Sequence, residues 1–164
     1  LHTNGYSLAR KILFEQLKLK PSSPVPGSRL SLGEELLKVH VSYGPLVQKL
    51  LKTFNKPGKK GAVHGLAHIT GGGFIDNIPR VLPKTVNSVI RKGLWPMLPI
   101  FQLLQDRGGV PDSELYQVFN MGIGMTVIAD PAHAADILAS IKKSGHQAWA
   151  IGSIEKGTGL SKVI

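Results

Sequence analysis

The sequence predicts an α/β domain (α+β in finer terms), a layered fold in which helices cover a mixed sheet of about four to six strands. Three observations carry this. Helical segments come first, and strands interleaved with helices follow. Nineteen glycines and eleven prolines among 164 residues supply more turns than a helical bundle uses. A hydrophobic content of 42% supports one domain with a core and argues against disorder.

The elements follow in order. "NGYSLARKILFEQLKLK" opens with turn residues, so Asn4 or Ser7 is expected to cap a helix running to about Lys18. Leu8, Ile12 and Leu17 mark its buried side, and Lys11 with Glu15 forms an i,i+4 pair. "PSSPVPGS" is a loop, and short helices cover "LGEELLK" and "PLVQKLLKTF". "GAVHGLAHIT" alternates as a strand, with Val63, Ala67 and Ile69 on one face and His64, Leu66 and His68 on the other. A helix starts at about Phe74, with Pro79 near its start and Pro83 ending the element. "KTVNSVI" is a second strand. "MLPIFQLLQDRG", interrupted near its start by Pro99, and "DSELYQVF" are helices, and "GIGMTVIAD" is a third strand. "DPAHAADILASIKKSG" carries the clearest helix signals: Asp130 as cap, Pro131 at the first position, Gly145 as stop, and Ala134, Ile137, Leu138 and Ile141 as the apolar face. "AWAIGSIEK" is a fourth strand and "SKVI" a short fifth. There is no internal repeat.

Composition excludes several classes. The chain has no cysteine, which removes disulfides, thiolate metal sites and cysteine nucleophiles. No apolar run approaches the roughly 20 residues that span a bilayer, and no signal peptide is visible, so an ordinary cytoplasmic protein with no membrane partner is expected. Leu1 stands directly against the polar "HTNGYS" with nothing before it to form a supporting strand. The sequence is therefore expected to be one domain, residues 1–164, of a longer protein.

The formal charge of +10 invites a nucleic-acid reading. The densest cationic group, Lys49, Lys52, Lys56, Lys59 and Lys60, falls instead at a helix end and turn, with no aromatic residues interleaved for base stacking. A solvated face is expected, and a nucleic-acid partner is disfavoured. The same charge suits phosphate-bearing small molecules.

The segment "AHITGGGFIDNIPRVLP" concentrates the candidate chemistry. Gly71, Gly72 and Gly73 follow a strand and precede a helix, where backbone N–H groups approach an anion closely. The same glycines also serve tight packing, and they match neither nucleotide-binding glycine fingerprint. His64 and His68 have the spacing of a metal pair, but on a strand they lie about 13 Å apart, too far to share an ion. No metal site is expected. His68, at the strand end beside Thr70, suits phosphate contact or proton transfer. Asn77 and Arg80, three apart, should share a helix side, and Arg80 suits bidentate phosphate contact or plain solvation. Asp76 has the chemistry of a magnesium ligand, but in the first turn of a helix it is read rather as complementing the dipole. In "FNMGIGM", Asn120 either bonds a ligand or holds the turn, whereas Met121, Met125, Trp95 and Trp149 are read as packing residues.

Three segments together, "LHTNGYSLARK", "AHITGGGFIDNIPRVLP" and "FNMGIGM", with "AWAIGSIEKG" in support, resemble the carboxy-terminal half of the phosphoribosylformylglycinamidine cyclo-ligase (aminoimidazole ribonucleotide synthetase) family. The likeness covers essentially the whole chain. It implies an α/β carboxy-terminal domain, with a separate amino-terminal domain that forms a homodimer and binds most of the ATP and Mg. Selenophosphate synthetases and thiamine-phosphate kinases share that fold. The implied reaction is ATP-dependent closure of formylglycinamidine ribonucleotide to aminoimidazole ribonucleotide in purine biosynthesis: ATP activates the formyl oxygen, the amidine nitrogen attacks that carbon, and phosphate leaves. The matching motif positions are His2, Asn4, Gly5 and Ser7, then His68, Thr70, Gly71, Gly72, Gly73, Asn77 and Arg80. The resemblance thus implies a proton-transfer or oxyanion role for His68 and substrate or phosphate contact for the others and Asn120. Two positions depart from many members: Met121 replaces a cysteine, and Val41 replaces a basic residue, with His40 and Tyr43 nearby in sequence.

Overall fold

The computed structural model describes residues 1–2 and 4–164. The first helix, α1 (Tyr6–Arg10), continues as a π-helical segment, Lys11–Gln16. It starts neither from Asn4 nor from Ser7. Its cap is Gly5, in the left-handed region at φ 73°, with no side-chain cap bond, and Ser7 lies inside the first turn. Widening to π geometry also moves the buried face: Ala9, Ile12 and Leu13 are buried, while Leu8 and Leu17 are only half-buried. Helix α2 (Leu32–Leu36) begins with a capping box, in which Ser31 and Glu34 satisfy each other's backbone N–H. Helix α3 (Gly44–Phe54) follows, with Pro45 in its first turn. Strand β1 (Val63–His68) alternates as expected, with Val63 and Ala67 buried and His64 and His68 exposed.

The element after the glycines is shorter than a full helix. Helix α4 (Gly73–Asn77) is five residues long and gives way to a 3₁₀ segment, Ile78–Val81, that contains Pro79. Strand β2 (Val86–Ile90) precedes α5 (Pro99–Asp106), where Pro99 opens the helix rather than interrupting it. Helix α6 (Asp112–Val118) and strand β3 (Met125–Ala129) come next. Asp130 caps as expected, accepting from the Ala132 N–H at 2.9 Å, but the first turn is 3₁₀ (Pro131–His133) before α7 (Ala134–Lys143). The fourth strand is confined to β4 (Gly152–Lys156), and β5 (Ser161–Val163) ends the set.

Among the described residues there are five strands, within the expected number, and the class is α/β. They form two sheets. β1 pairs antiparallel with β3. β2 lies between β4, antiparallel to it, and β5, parallel to it, so this sheet is mixed.

The residues gather into two compact units. The first comprises Leu1–Val41, Ile69–Asn77 and Pro96–Gly124 and holds α1, α2, α4, α5 and α6. Its core is aromatic: Phe101 packs at a tilt against Phe119 with 5.8 Å between ring centroids, and Phe74 against Tyr116 at 6.1 Å. The second comprises Ser42–His68, Ile78–Trp95 and Met125–Ile164 and holds both sheets with α3 and α7. There Leu46 and Leu50 of α3 meet Val63 of β1 and Ile137 and Ile141 of α7. Two asparagines fix loops in this unit. Asn55 binds both backbone groups of Val63, and Asn87 Oδ1 accepts from the N–H groups of Thr158 and Leu160.

Leu50 is fully buried at the centre of the aliphatic cluster. Leu50→Ala is expected to lower stability by about 2–5 kcal/mol, the range for a buried leucine whose cavity only partly collapses. Urea unfolding of the two proteins measures this. A loss below about 1 kcal/mol would mean that α3, β1 and α7 do not share a packed core.

Candidate functional site

Three segments far apart in sequence meet in the first unit, and glycine is what lets them meet. Gly5 lies so close to Phe119 that an added Cβ would overlap the ring. Gly73 lies so close to the Tyr116 carbonyl that a Cβ would overlap the backbone itself. Both have positive φ, 73° and 54°, which L-residues with side chains adopt only at a cost. A Cβ at Gly71 would stand 3.9 Å from Asn4 Oδ1, and the Ile69 N–H donates to the Gly124 carbonyl at 2.9 Å. Residues 1–2 and 4–7, 69–77 and 119–124 therefore form one neighbourhood, two loops and a turn around the start of α4.

Inside it the sequence candidates separate by role. Asn77 is buried, and its side chain is spent on the glycine loop: Nδ2 donates to the carbonyls of Thr70, Gly71 and Gly73, at 3.3, 3.2 and 2.8 Å. Thr70 Oγ1 donates to Asn77 Oδ1 at 3.1 Å. These bonds hold the loop in shape. Arg80 is exposed on the 3₁₀ segment, so it does not share a side with buried Asn77: the change of helix type after Asn77 resets the three-residue register. Gly72, at φ 97°, packs against its own Asp76 side chain. Gly71 differs from its two neighbours. It is exposed, has no left-handed backbone, and faces open space apart from Asn4. Among the described residues, neither the Gly71 nor the Gly72 amide donates to a protein acceptor. A five-residue helix carries little macrodipole, so any anion attraction here rests on those loop amides.

The same neighbourhood borders a recess of about 170 Å³, lined by residues that include His2, Tyr6, Glu35, Lys38, Val39, Val41, Leu98, Asn120 and Gly122. His2 stacks on His40, with ring centroids 4.4 Å apart and planes within 17°. The Tyr6 hydroxyl donates to the Leu36 carbonyl, and burial raises its pKa. Asn120 is buried, and its Oδ1 accepts from the Gly122 N–H at 3.1 Å. Between them, Met121 is buried with a φ of 50°. Its packing role holds, and the turn keeps it in a conformation that only glycine adopts without strain. The segments 1–7, 69–77 and 119–124 contain one carboxylate, Asp76, too few for a magnesium polyphosphate site, which needs several oxygen ligands.

Glu35 is the residue that motif reading passed over. It is buried, and its carboxylate takes Ser28 Oγ at 2.7 Å and Lys38 Nζ at 2.7 Å. Burial pushes its pKa up, but the hydrogen bonds from Lys38 and Ser28 together outweigh that, and the net value lies below the ordinary glutamate range. A signal was present in "SLGEELL". Ser31 and Glu34 close the capping box, and helical spacing from Leu32 then turns Glu35 to the apolar side.

His68 belongs to the second unit, exposed at the end of β1 with its ring 6.0 Å from Tyr43 in edge geometry. Tyr43 in turn lies 6.2 Å from His146, and burial raises its pKa. The lysines at positions 49, 52, 56, 59 and 60 are all exposed, as a solvated face requires. Among the described residues no helix is long and apolar enough to cross a membrane.

Residues 1–164 match the family described as "AIR synthase related protein, C-terminal domain". Phosphoribosylformylglycinamidine cyclo-ligase of Syntrophus aciditrophicus is 43% identical over 164 residues, all of this chain and 45% of that protein. The protein of the same name from Geobacillus kaustophilus is 42% identical over 161 residues, 98% of this chain and 44% of its own length. The chain thus spans less than half the length of these relatives. Thiamine-monophosphate kinase from Stenotrophomonas maltophilia superposes with a TM-score of 0.64 at 15% identity, over 98% of this chain and 47% of that one, a likeness of fold.

Two predictions follow from the local geometry. Gly73→Ala is expected to cost about 3 kcal/mol or more, since it combines backbone overlap with a left-handed φ. Gly71→Ala should change stability by less than about 1 kcal/mol. Equal urea midpoints for the two variants would refute this division of roles. The second concerns Glu35. Its depressed pKa stabilises the fold fully above the unfolded-state value, about 4.3, and that contribution is lost as pH falls through the folded value. Glu35→Gln should therefore be less stable than the parent at pH 7, and the difference should shrink as pH is lowered from about 5 to 3. Parallel unfolding curves across that window would contradict it.

Proposed function

The chain belongs to the AIR synthase related protein carboxy-terminal domain family, and we propose that it is the substrate-contacting half of a phosphoribosylformylglycinamidine cyclo-ligase. The whole enzyme then carries out ATP-dependent ring closure of formylglycinamidine ribonucleotide to aminoimidazole ribonucleotide. One observation carries this reading. Parts of the three segments that resemble the cyclo-ligases, residues 1–2 and 4–7, 69–77 and 119–124, converge through Gly5, Gly71 and Gly73 into one neighbourhood of open amides and polar side chains.

In this reading the Gly71 and Gly72 amides take the ribose 5′-phosphate, an anion that needs donors and no metal of its own. Asn4 stands beside Gly71 and adds a neutral polar contact. Gly5, Gly73, Thr70 and Asn77 act by shaping the loop. His2 and Asn120 meet substrate through the recess they line. From the resemblance alone, His68 is assigned proton transfer, and Arg80 and Ser7 are assigned polar contact with substrate. ATP and Mg are held by an amino-terminal domain, consistent with the single carboxylate in the three segments. That domain is also the direct partner, and a homodimer its setting. Leu37 and Val39, 83% and 90% exposed, give it an apolar surface to meet. The setting is cytoplasmic.

The test is ADP release dependent on formylglycinamidine ribonucleotide, with this chain alone and with a cyclo-ligase amino-terminal domain added. Turnover is expected in the mixture and not with this chain alone. It should fall at least tenfold for Gly71→Val, which fills the open side of the loop. No turnover in the mixture, with both parts folded and associated, would overturn the reading.

A further inference from the structure

The recess in the first unit has a polarity pattern that neither the glycine loop nor the family match accounts for. Its size comes first. At about 170 Å³ it equals roughly six waters at about 30 Å³ each, well below the several hundred Å³ of a typical ligand pocket. It accepts one arm of a metabolite rather than a whole nucleotide.

Asn120 comes second. Its orientation is fixed, because the Gly122 N–H can donate only to the amide oxygen. Nδ2 is therefore the free end of the side chain. Asn120 is 3% exposed, yet among the described residues its amino group meets no acceptor, and it is not among the fully enclosed unpartnered atoms. A neutral two-proton donor in a buried side chain thus opens on the recess. It would otherwise carry the cost of a buried unmade hydrogen bond.

The third element is Glu35, which lines the same recess. Each of its oxygens accepts one bond, from Ser28 and from Lys38, and a carboxylate accepts about four, so both oxygens keep capacity. The Lys38 side chain is 55% exposed, so it can yield its place at little desolvation cost. Val39, Val41 and Leu98 supply apolar wall between these polar groups.

A small arm that satisfies this lining has a neutral carbonyl acceptor for Asn120 and a planar cation with paired N–H donors for Glu35. We propose that the recess binds a formamide–amidine arm, with Asn120 holding the carbonyl oxygen and Glu35 selecting the amidinium over a neutral amide. This rests on the cyclo-ligase reading and adds the substrate's orientation to it: phosphate at the glycine loop, reactive arm in the recess. Glu35 becomes the specificity-determining residue. Two N–H groups on a carboxylate make a bidentate, charge-assisted pair that an uncharged carboxamide cannot reproduce.

The test is calorimetric titration of this chain with formylglycinamidine ribonucleotide and with formylglycinamide ribonucleotide, its carboxamide counterpart. The parent should bind the amidine at least tenfold more tightly. Glu35→Gln should bring the two ligands to within about threefold while retaining the carboxamide's affinity, which also shows that the variant is folded. In a companion ¹⁵N spectrum, the Asn120 side-chain NH₂ resonances should shift on saturation with the amidine. Equal affinities in the parent, discrimination retained in Glu35→Gln, or unmoved Asn120 resonances while the Gly71 amide shifts would each overturn the recess assignment and leave the cyclo-ligase reading standing. No binding of either ligand would remove both.

Discussion

The contact of Gly73 with the Tyr116 carbonyl is the constraint on which the first unit depends. The backbone there approaches another backbone more closely than any side chain permits, and it does so at a positive φ. This contact brings α4 against α6. The glycine loop before α4 then lies beside Asn4, and Phe119, one residue beyond α6, lies against Gly5. Asn77 reinforces the arrangement from within, since one buried amide ties three carbonyls of the loop. Gly5, Gly73 and Asn77 are thus structural, and their cost in chain entropy is met by close packing. What they leave accessible is Gly71, with its amide and its open side.

That division explains why the triple glycine could be read two ways in the sequence. A packing loop and an anion loop need the same residue type, for different reasons at neighbouring positions. Only φ and the overlap an added Cβ would suffer distinguish Gly73, which has no room, from Gly71, which has it. Periodicity was more direct elsewhere. The alternation of β1 was readable because one of its faces is buried, and the Asp130 and Gly145 signals located α7 to within one turn. The failures share a cause. Cap residues, helix type and helix length are decided by tertiary contact: Gly5 caps α1 because it meets Phe119, and the register between Asn77 and Arg80 changes because α4 gives way to a 3₁₀ segment. The division of five strands into two sheets is also not local information, since pairing partners are 73 residues apart in the β2–β5 register.

Family membership and site chemistry contribute different things to the functional account. Membership rests on the whole chain and fixes the fold and lineage, but this chain spans 45% of a close relative, so it does not by itself give an activity to these 164 residues. The geometry supplies what membership leaves open, because it ranks the motif positions. Gly5, Gly73, Thr70 and Asn77 are consumed by the architecture. Gly71, Gly72 and Asn120 keep hydrogen-bonding capacity that the described structure does not use. Recognition chemistry has to be built from unused capacity, so the second group is where ligand contact belongs.

The same reasoning makes Glu35 more than a buried ion pair. A carboxylate taken out of water gains little net stability from a single lysine, because desolvation offsets most of the attraction. Glu35 escapes that balance through two hydrogen bonds, one from a hydroxyl and one from a half-exposed ammonium, helped by the charges of Lys38 and the Leu1 ammonium. Leucine or methionine at this position of α2 would fill the same space without either requirement, as Leu32 does one turn earlier. The retention of charge on the apolar side of a five-residue helix, beside a recess that also receives an asparagine amide, therefore calls for a reason other than stability. A cationic planar group is the ligand whose binding would use that charge, and Lys38, with most of its side chain in water, is the counter-ion it would displace.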